Sequence, residues 1–120
     1  MKLSFSQAAQ DVILAKQQPG DVILLDYEDA IGPFTQSAVS CQLYPSFRLL
    51  LVPKEFPKEQ LVDYDDAIET ELGIVAVKKR SEMLLDEAIE IMVEPAYQRL
   101  QIRSNSGVIA ANMPLLRMDA

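Results

Sequence analysis

GIVAVKKRSEMLLDEAIEIMVEPAYQRLQIRSN, residues 73–105, is the stretch that decides the fold. It opens on an apolar, β-branched run, residues 74–78, that ends in the basic triplet Lys78-Lys79-Arg80, read as a solvated turn at a strand end. Ser81-Glu82-Met83-Leu84-Leu85-Asp86 has room for a single helical turn, which Ser81 is suited to cap. Ile89, Ile91 and Val93 then alternate with Glu90, Met92 and Glu94, the pattern of a strand with one face buried and one in water. Glu94-Pro95-Ala96 turns the chain. Residues 97–103 alternate again, with Leu100 and Ile102 on one side and Gln101 and Arg103 on the other. Asn105-Ser106-Gly107 marks the next turn. Connections this short join antiparallel neighbours.

Working outward, residues 67–71 and 74–78 read as a hairpin across Leu72-Gly73. Val22–Tyr27 and Phe47–Val52 read as buried strands, the second ended by Pro53. Residues 53–57 form a turn, and residues 58–66 suit either a short helix or a loop. Residues 28–46 carry Gly32, Pro33 and Pro45 and read as a long loop. At the N-terminus, Ser4 and Gln7 make a capping box. Phe5, Ala8, Ala9 and Val12 repeat at helical spacing until Pro19-Gly20 stops the helix. The tail, residues 108–120, is apolar with one proline. The expected class is α+β and β-rich: about six short strands, mainly antiparallel, an N-terminal helix and one short internal helix, in a single domain, residues 1–120. Leu24, Leu50, Ile74, Val77, Leu85, Ile91 and Leu100 are expected in one core.

Composition narrows the chemistry. Half the 120 residues are hydrophobic, enough for a real core, and with no tryptophan that core is mostly aliphatic. Histidine is absent, which removes the commonest general base and every Ser-His or Cys-His mechanism. The net charge of −7 argues against nucleic acid. One cysteine, Cys41, excludes an internal disulfide and suits a reducing compartment. No signal peptide and no membrane-spanning run is apparent, so a cytoplasmic protein with no membrane role is expected.

With these elements in order, the chain resembles the HesB/IscA-like iron–sulfur cluster biosynthesis family over nearly its whole length. The resemblance is carried by Ser-Phe-Ser-Gln-Ala-Ala at the N-terminal helix, a cysteine-bearing loop between two strands, Leu-Gly-Ile-Val-Ala-Val at residues 72–77, Ser-Glu-Met-Leu-Leu-Asp at residues 81–86, and Ile102-Arg103-Ser104-Asn105. Residues 73–105 match best. The loop with Gly32-Pro33-Phe34 looks like the divergent branch found in lactobacilli and related Gram-positive bacteria. The ligands depart from the family pattern. Cys41 falls near the family's first cysteine, in Ala38-Val39-Ser40-Cys41-Gln42 rather than Gly-Cys-Ser-Gly. The C-terminal Cys-Gly-Cys pair would fall near Asn112 and Pro114, and neither supplies a thiolate.

The resemblance therefore implies a non-enzymatic relative of A-type cluster scaffolds and carriers, with Cys41 as the cofactor and metal contact and no catalytic residue. No stably bound cofactor is expected, and iron or an iron–sulfur cluster would be held only transiently. Assembly or client proteins are the implied partners, and a homodimer is compatible. The competing reading is a cytosolic protein-interaction module with no metal chemistry, working through the apolar tail, in which Cys41 is a small buried hydrophobe. An enzyme ranks last. Asp26, Glu28 and Asp29 read as turn-capping or solvated residues rather than hard-metal ligands, Asp63, Asp65 and Asp66 as a solvated acidic turn rather than a calcium-loop fragment, and Asp86, Glu87, Glu90 and Glu94 as an exposed face rather than an acid/base set. Met83, Met92, Met113 and Met118 read as core packing rather than soft-metal ligands.

Overall fold

The computed structural model describes residues 1–27 and 47–118. The chain runs β1 (Lys2–Phe5), α1 (Gln7–Lys16), β2 (Val22–Tyr27), β3 (Phe47–Val52), β4 (Asp66–Thr70), β5 (Gly73–Val77), β6 (Ala88–Glu94), β7 (Arg99–Ser104), β8 (Gly107–Met113) and β9 (Leu115–Arg117). Short 3-10 turns lie at Lys58–Leu61 and Lys79–Leu84. The strands form a four-stranded sheet in the order β1-β6-β7-β8 and a five-stranded sheet in the order β4-β5-β2-β3-β9. The architecture is the expected β-rich α+β class.

Among the described residues, four of the seven strand pairings are antiparallel: β2–β3, β4–β5, β6–β7 and β7–β8. The last three are joined by short turns, as the sequence suggested. Three are parallel, β1–β6, β2–β5 and β3–β9, and two of these recruit strands at the chain ends. The N-terminal helix accordingly starts later than its capping box implied. Residues 2–5 are extended, Leu3 and Phe5 are buried, and Ser6 rather than Ser4 caps α1 by accepting the Ala9 N–H. Ala9 and Ile13 are its buried residues, and Val12 lies outside the core. The apolar tail is likewise not a free surface element. It supplies β8 and β9, Met113 is buried, and Leu115 and Leu116 pack against opposite faces of the five-stranded sheet.

The core has two compartments because β2 and β3 are covered on both sides. Ile23, Leu25, Leu49, Leu51, Val75 and Val77 face the four-stranded sheet and α1, where Leu3, Phe5, Ile89, Ile91, Leu100 and Ile102 meet them. Leu24, Leu50 and Val52 face the other way and are covered by Phe56, Leu61 and Tyr64 from the segment after β3. This corrects the single core expected from the sequence: Leu24 and Leu50 belong to the second compartment, and Val77, Leu85, Ile91 and Leu100 to the first. Ile74 belongs to neither and is 59% exposed. It sits beside Gly73, whose φ of +96° closes the β4–β5 hairpin, and there Val75 carries the inward face. Ser81 also differs from expectation. It lies inside the second 3-10 turn and donates to the Lys78 carbonyl, and no side chain caps that turn. Met83 stands 84% exposed rather than packed, whereas Met113 is in the core.

Asp21, just before β2, fastens the C-terminal strand. Its carboxylate takes both Arg117 Nε and Nη2, at 2.9 and 3.0 Å, and the Gln18 N–H at 2.8 Å. The Arg117 bonds hold the Asp21 carboxyl below its ordinary value. Two outcomes are expected. In denaturant unfolding, Ile91→Ala costs about 2–5 kcal/mol, whereas Ile74→Ala stays within about 0.5 kcal/mol; equal losses would contradict the two-sided assignment. The Asp21–Arg117 contribution is complete above the unfolded-state value of 3.8 and is lost as pH falls through the lower folded value. Acid melting curves of Asp21→Asn should therefore lack the part of the stability loss that wild type shows below that pH.

Candidate functional site

The connection 28–46 leaves β2 after Tyr27 and re-enters β3 at Phe47. These two residues lie opposite each other in the β2–β3 ladder, with ring centroids 4.9 Å apart. One rung further in, Asp26 faces Arg48. Both are buried, on the face of the sheet that also carries Leu24 and Leu50. Arg48 Nε donates to Asp26 Oδ2 at 2.7 Å, and Tyr64 Oη donates to Oδ1 at 2.8 Å. Lys78, immediately after β5, reaches Oδ1 at 3.1 Å and donates to the Tyr27 carbonyl at 3.2 Å. Its ammonium also lies 5.5 Å from the centre of the Tyr64 ring. Among the described residues, Asp26 thus binds three side chains from three other parts of the chain.

This arrangement answers several expectations. The basic triplet is not uniformly solvated: Lys78 is buried and Lys79 and Arg80 are exposed. Asp26 does not present open oxygens to a hard metal, because both are engaged by cations and a phenol. Glu28 and Asp29, suggested beside it, lie outside the described residues, as does Cys41. In residues 63–66, Tyr64 points inward and Asp65 accepts the Lys79 N–H at 2.8 Å, a bond that lowers its carboxyl's pKa. Glu94 caps its own turn by accepting the Ala96 and Tyr97 N–H groups. Asp86 accepts from Ser104, and hydrogen bonds from Ser104 and Ser106 lower its pKa. Glu90 is exposed opposite Arg103. Among the described residues, no three Asp, Glu, Cys or His side chains are grouped to hold a metal ion.

The C-terminal strands border the same region. Leu49 donates its N–H to the Pro114 carbonyl at 2.9 Å, and β9 continues from there in parallel register with β3, Leu49 opposite Leu115. Asn112 and Pro114 are exposed, with Met113 buried between them. The end of β8 therefore lies two residues along β3 from the point where the connection 28–46 rejoins the sheet. The sequence contained a signal for the Asp26 cluster: single charges at Asp26 and Arg48 break two otherwise apolar strands. Tyr64 and Lys78 were legible only once the fold had brought them there.

Away from this region, an open cleft of about 1000 Å³ runs along β1, β4 and β6. Asp66 is on its wall and hydrogen-bonds Glu82. Burial, followed by that bond, raises the Glu82 pKa.

Removing the charge of Asp26 takes their shared carboxylate away from two buried cations. Asp26→Asn should cost about 3–5 kcal/mol in denaturant unfolding. Tyr64→Phe, which removes one hydrogen bond to a charged acceptor, should cost about 1.5–3 kcal/mol. A near-neutral Asp26→Asn would show that the cluster is not held as described.

The family model for iron–sulphur cluster biosynthesis matches residues 1–117. Among solved structures, a proposed Fe-S biosynthesis protein from Lactobacillus salivarius, described as having a novel fold, superposes with a TM-score of 0.83 at 23% identity and covers 98% of both chains. A proposed Fe-S biosynthesis protein from Lactobacillus acidophilus superposes with a TM-score of 0.70 at 13% identity, over 98% of this chain and 90% of its own. At these identities the two structures establish the shared fold. No curated protein matches in sequence. With the family pattern running from residue 1 to residue 117, the chain belongs to the iron–sulphur cluster biosynthesis family.

Proposed function

We propose that this protein is a non-enzymatic member of its family that has kept the fold and lost the ligand set, and that it acts in the cytoplasm as an accessory or partner-binding protein of iron–sulfur assembly. The observation that supports this most is the chemistry at the end of β8. By resemblance, the family's paired cysteines fall at about Asn112 and Pro114. In this chain those positions offer an amide side chain and a proline ring, and the Pro114 carbonyl is committed to Leu49. Cys41 is the one thiol in the sequence. A cluster held by protein thiolates takes about four of them, so neither one chain nor a symmetric pair supplies the set. The donors present do not fit a resident cluster. Iron or a cluster is then cargo, met transiently at Cys41 and passed among assembly or client proteins.

The lack of histidine and the commitment of Asp26, Asp65, Asp86 and Glu94 to structural bonds support a role without catalysis. A second reading, a protein-interaction module with no metal chemistry, draws on the adjoining exposed side chains of Met83 and Leu84.

Iron and acid-labile sulfide, assayed per chain after anaerobic purification, separate these ideas from a working scaffold. Both should fall far below stoichiometric amounts. Near-stoichiometric iron and sulfide together would overturn the proposal. A weak absorbance after reconstitution that disappears in Cys41→Ser would favour transient cargo over the module with no metal chemistry.

A further inference from the structure

β1 and β4 are outer strands of their two sheets, and they lie side by side. One end of the gap between them is closed, where the Phe5 N–H donates to the Glu71 carboxylate at 3.1 Å. At the other end, residues 78–87 carry the chain from Val77, opposite Asp66, to Ala88, opposite Lys2. Between those ends runs the cleft of about 1000 Å³, with residues 1–4 on one wall and residues 66–69 on the other.

Both walls are strand edges with backbone groups turned into the cleft. The Lys2 and Ser6 N–H groups donate to the Glu87 and Ile91 carbonyls on the β6 side, so the alternation of the strand turns Leu3 and Phe5 the other way. Phe5 is closed off: its N–H meets Glu71, and its C=O accepts from Gln10 Nε2 at 3.1 Å. Leu3 is 5% exposed, and its N–H and C=O open onto the cleft with no hydrogen bond among the described residues. Buried backbone groups are seldom left unpaired. On β4, Ala67 gives its N–H to Asp66 Oδ1 at 3.0 Å rather than to β5, and Glu69, two residues on, turns the same way.

The side chains on the walls select the occupant. Leu3 and Ile68 are buried in the core, whereas Glu69 and Glu90 are exposed on the outside. Asp66 adds a further carboxylate, bonded to Glu82, and β4, Asp-Ala-Ile-Glu-Thr, carries no cation. Of the basic side chains on the walls, Lys2 and Arg103, the second stands opposite Glu90 in the β6–β7 ladder. Successive residues of a strand laid in this cleft alternate in direction. Inward ones meet Leu3 and Ile68, and outward ones meet Glu69 and Glu90. We propose that the cleft accepts an extended segment of a partner protein in which apolar residues alternate with lysine or arginine. Main-chain hydrogen bonds to Leu3 and Glu69 hold it as an added strand, and the acidic rim selects its charge. The inference rests on the partner-binding part of the proposed function, names the surface that serves it, and needs no iron.

The test titrates the full chain, isotope-labelled and free of added metal, with a capped hexapeptide of alternating valine and lysine. Iron and sulfide contents test the lost ligand set; this titration tests the cleft separately. Amide signals of Leu3, Ser4, Ala67 and Glu69 should shift as the peptide binds. Methylating the peptide's backbone nitrogens at the valines keeps its charge and side chains but removes donors, and should weaken binding about tenfold. Glu69→Lys, at an exposed position, should weaken it about fivefold with the melting temperature unchanged. A peptide that moves no amide along β1 and β4 would overturn the proposal. So would a methylated peptide that binds as well as its parent, or a glutamate–valine hexapeptide that binds equally. Shifts at the same amides that grow with protein concentration in the absence of peptide would also overturn it, because a second copy of the chain would then be the occupant.

Discussion

The carboxylate of Asp26 is the constraint on which the central sheet depends. It sits in a layer of leucine and valine and is matched there by Arg48 from the neighbouring strand, Lys78 from the end of β5 and Tyr64 from the covering segment. Burying an ionised carboxylate costs several kcal/mol, and only close, complete pairing offsets it. The bonds at 2.7, 2.8 and 3.1 Å meet that demand and, in doing so, tie three strands and one covering segment together at one end of the sheet. The connection bearing Cys41 begins and ends beside this knot.

The rest of the fold follows from covering β2 and β3 twice. One side is closed by the four-stranded sheet and α1, the other by Phe56, Leu61 and Tyr64. Chain ends finish both sheets: β1 adds in parallel to β6, and β9 adds in parallel to β3. Asp21 and Arg117 then fasten the last strand to the start of β2. This use of the tail removes it as a free docking element. It also brings the end of β8 to within two residues, along β3, of the point where the connection 28–46 returns.

Much of this was legible in the sequence, and the failures share a cause. The alternation of Ile89, Ile91 and Val93 with Glu90 and Glu94 gave β6 its correct faces, because one face is wet. The runs at residues 22–27 and 47–52 were recognisable as strands for the opposite reason, since both faces are dry. That same double burial hid which residues share a compartment, and so Leu24 and Leu50 were grouped with Ile91. Residues 2–5 and 115–117 did not read as strands because their partners, β6 and β3, are distant in sequence and their own patterns are short, whereas residues 107–113 pair with the adjacent β7 but with register shifts that break the alternation. Lys78 read as a surface charge because nothing local signals a buried lysine; its described partners, the Asp26 carboxylate, the Tyr27 carbonyl and the Tyr64 ring, come from elsewhere in the chain. For the site, that Asn112 and Pro114 carry no thiol was plain from the residues alone, whereas the hydrogen bond linking Pro114 to β3 required the fold.

The central claim is that an iron–sulfur biosynthesis fold is retained around a ligand set that has been lost, and restoring the ligands tests it most directly. The double substitution Asn112→Cys and Pro114→Cys returns two thiolates to the end of β8 beside Leu49, with Cys41 unchanged. After anaerobic reconstitution with iron and sulfide, the account predicts that this variant takes up both in near-stoichiometric amounts, with a visible absorbance that is lost when Cys41 is also replaced by serine. Wild type should retain little of either. A double variant that folds with the wild-type melting temperature yet binds no more iron and sulfide than wild type would contradict the account.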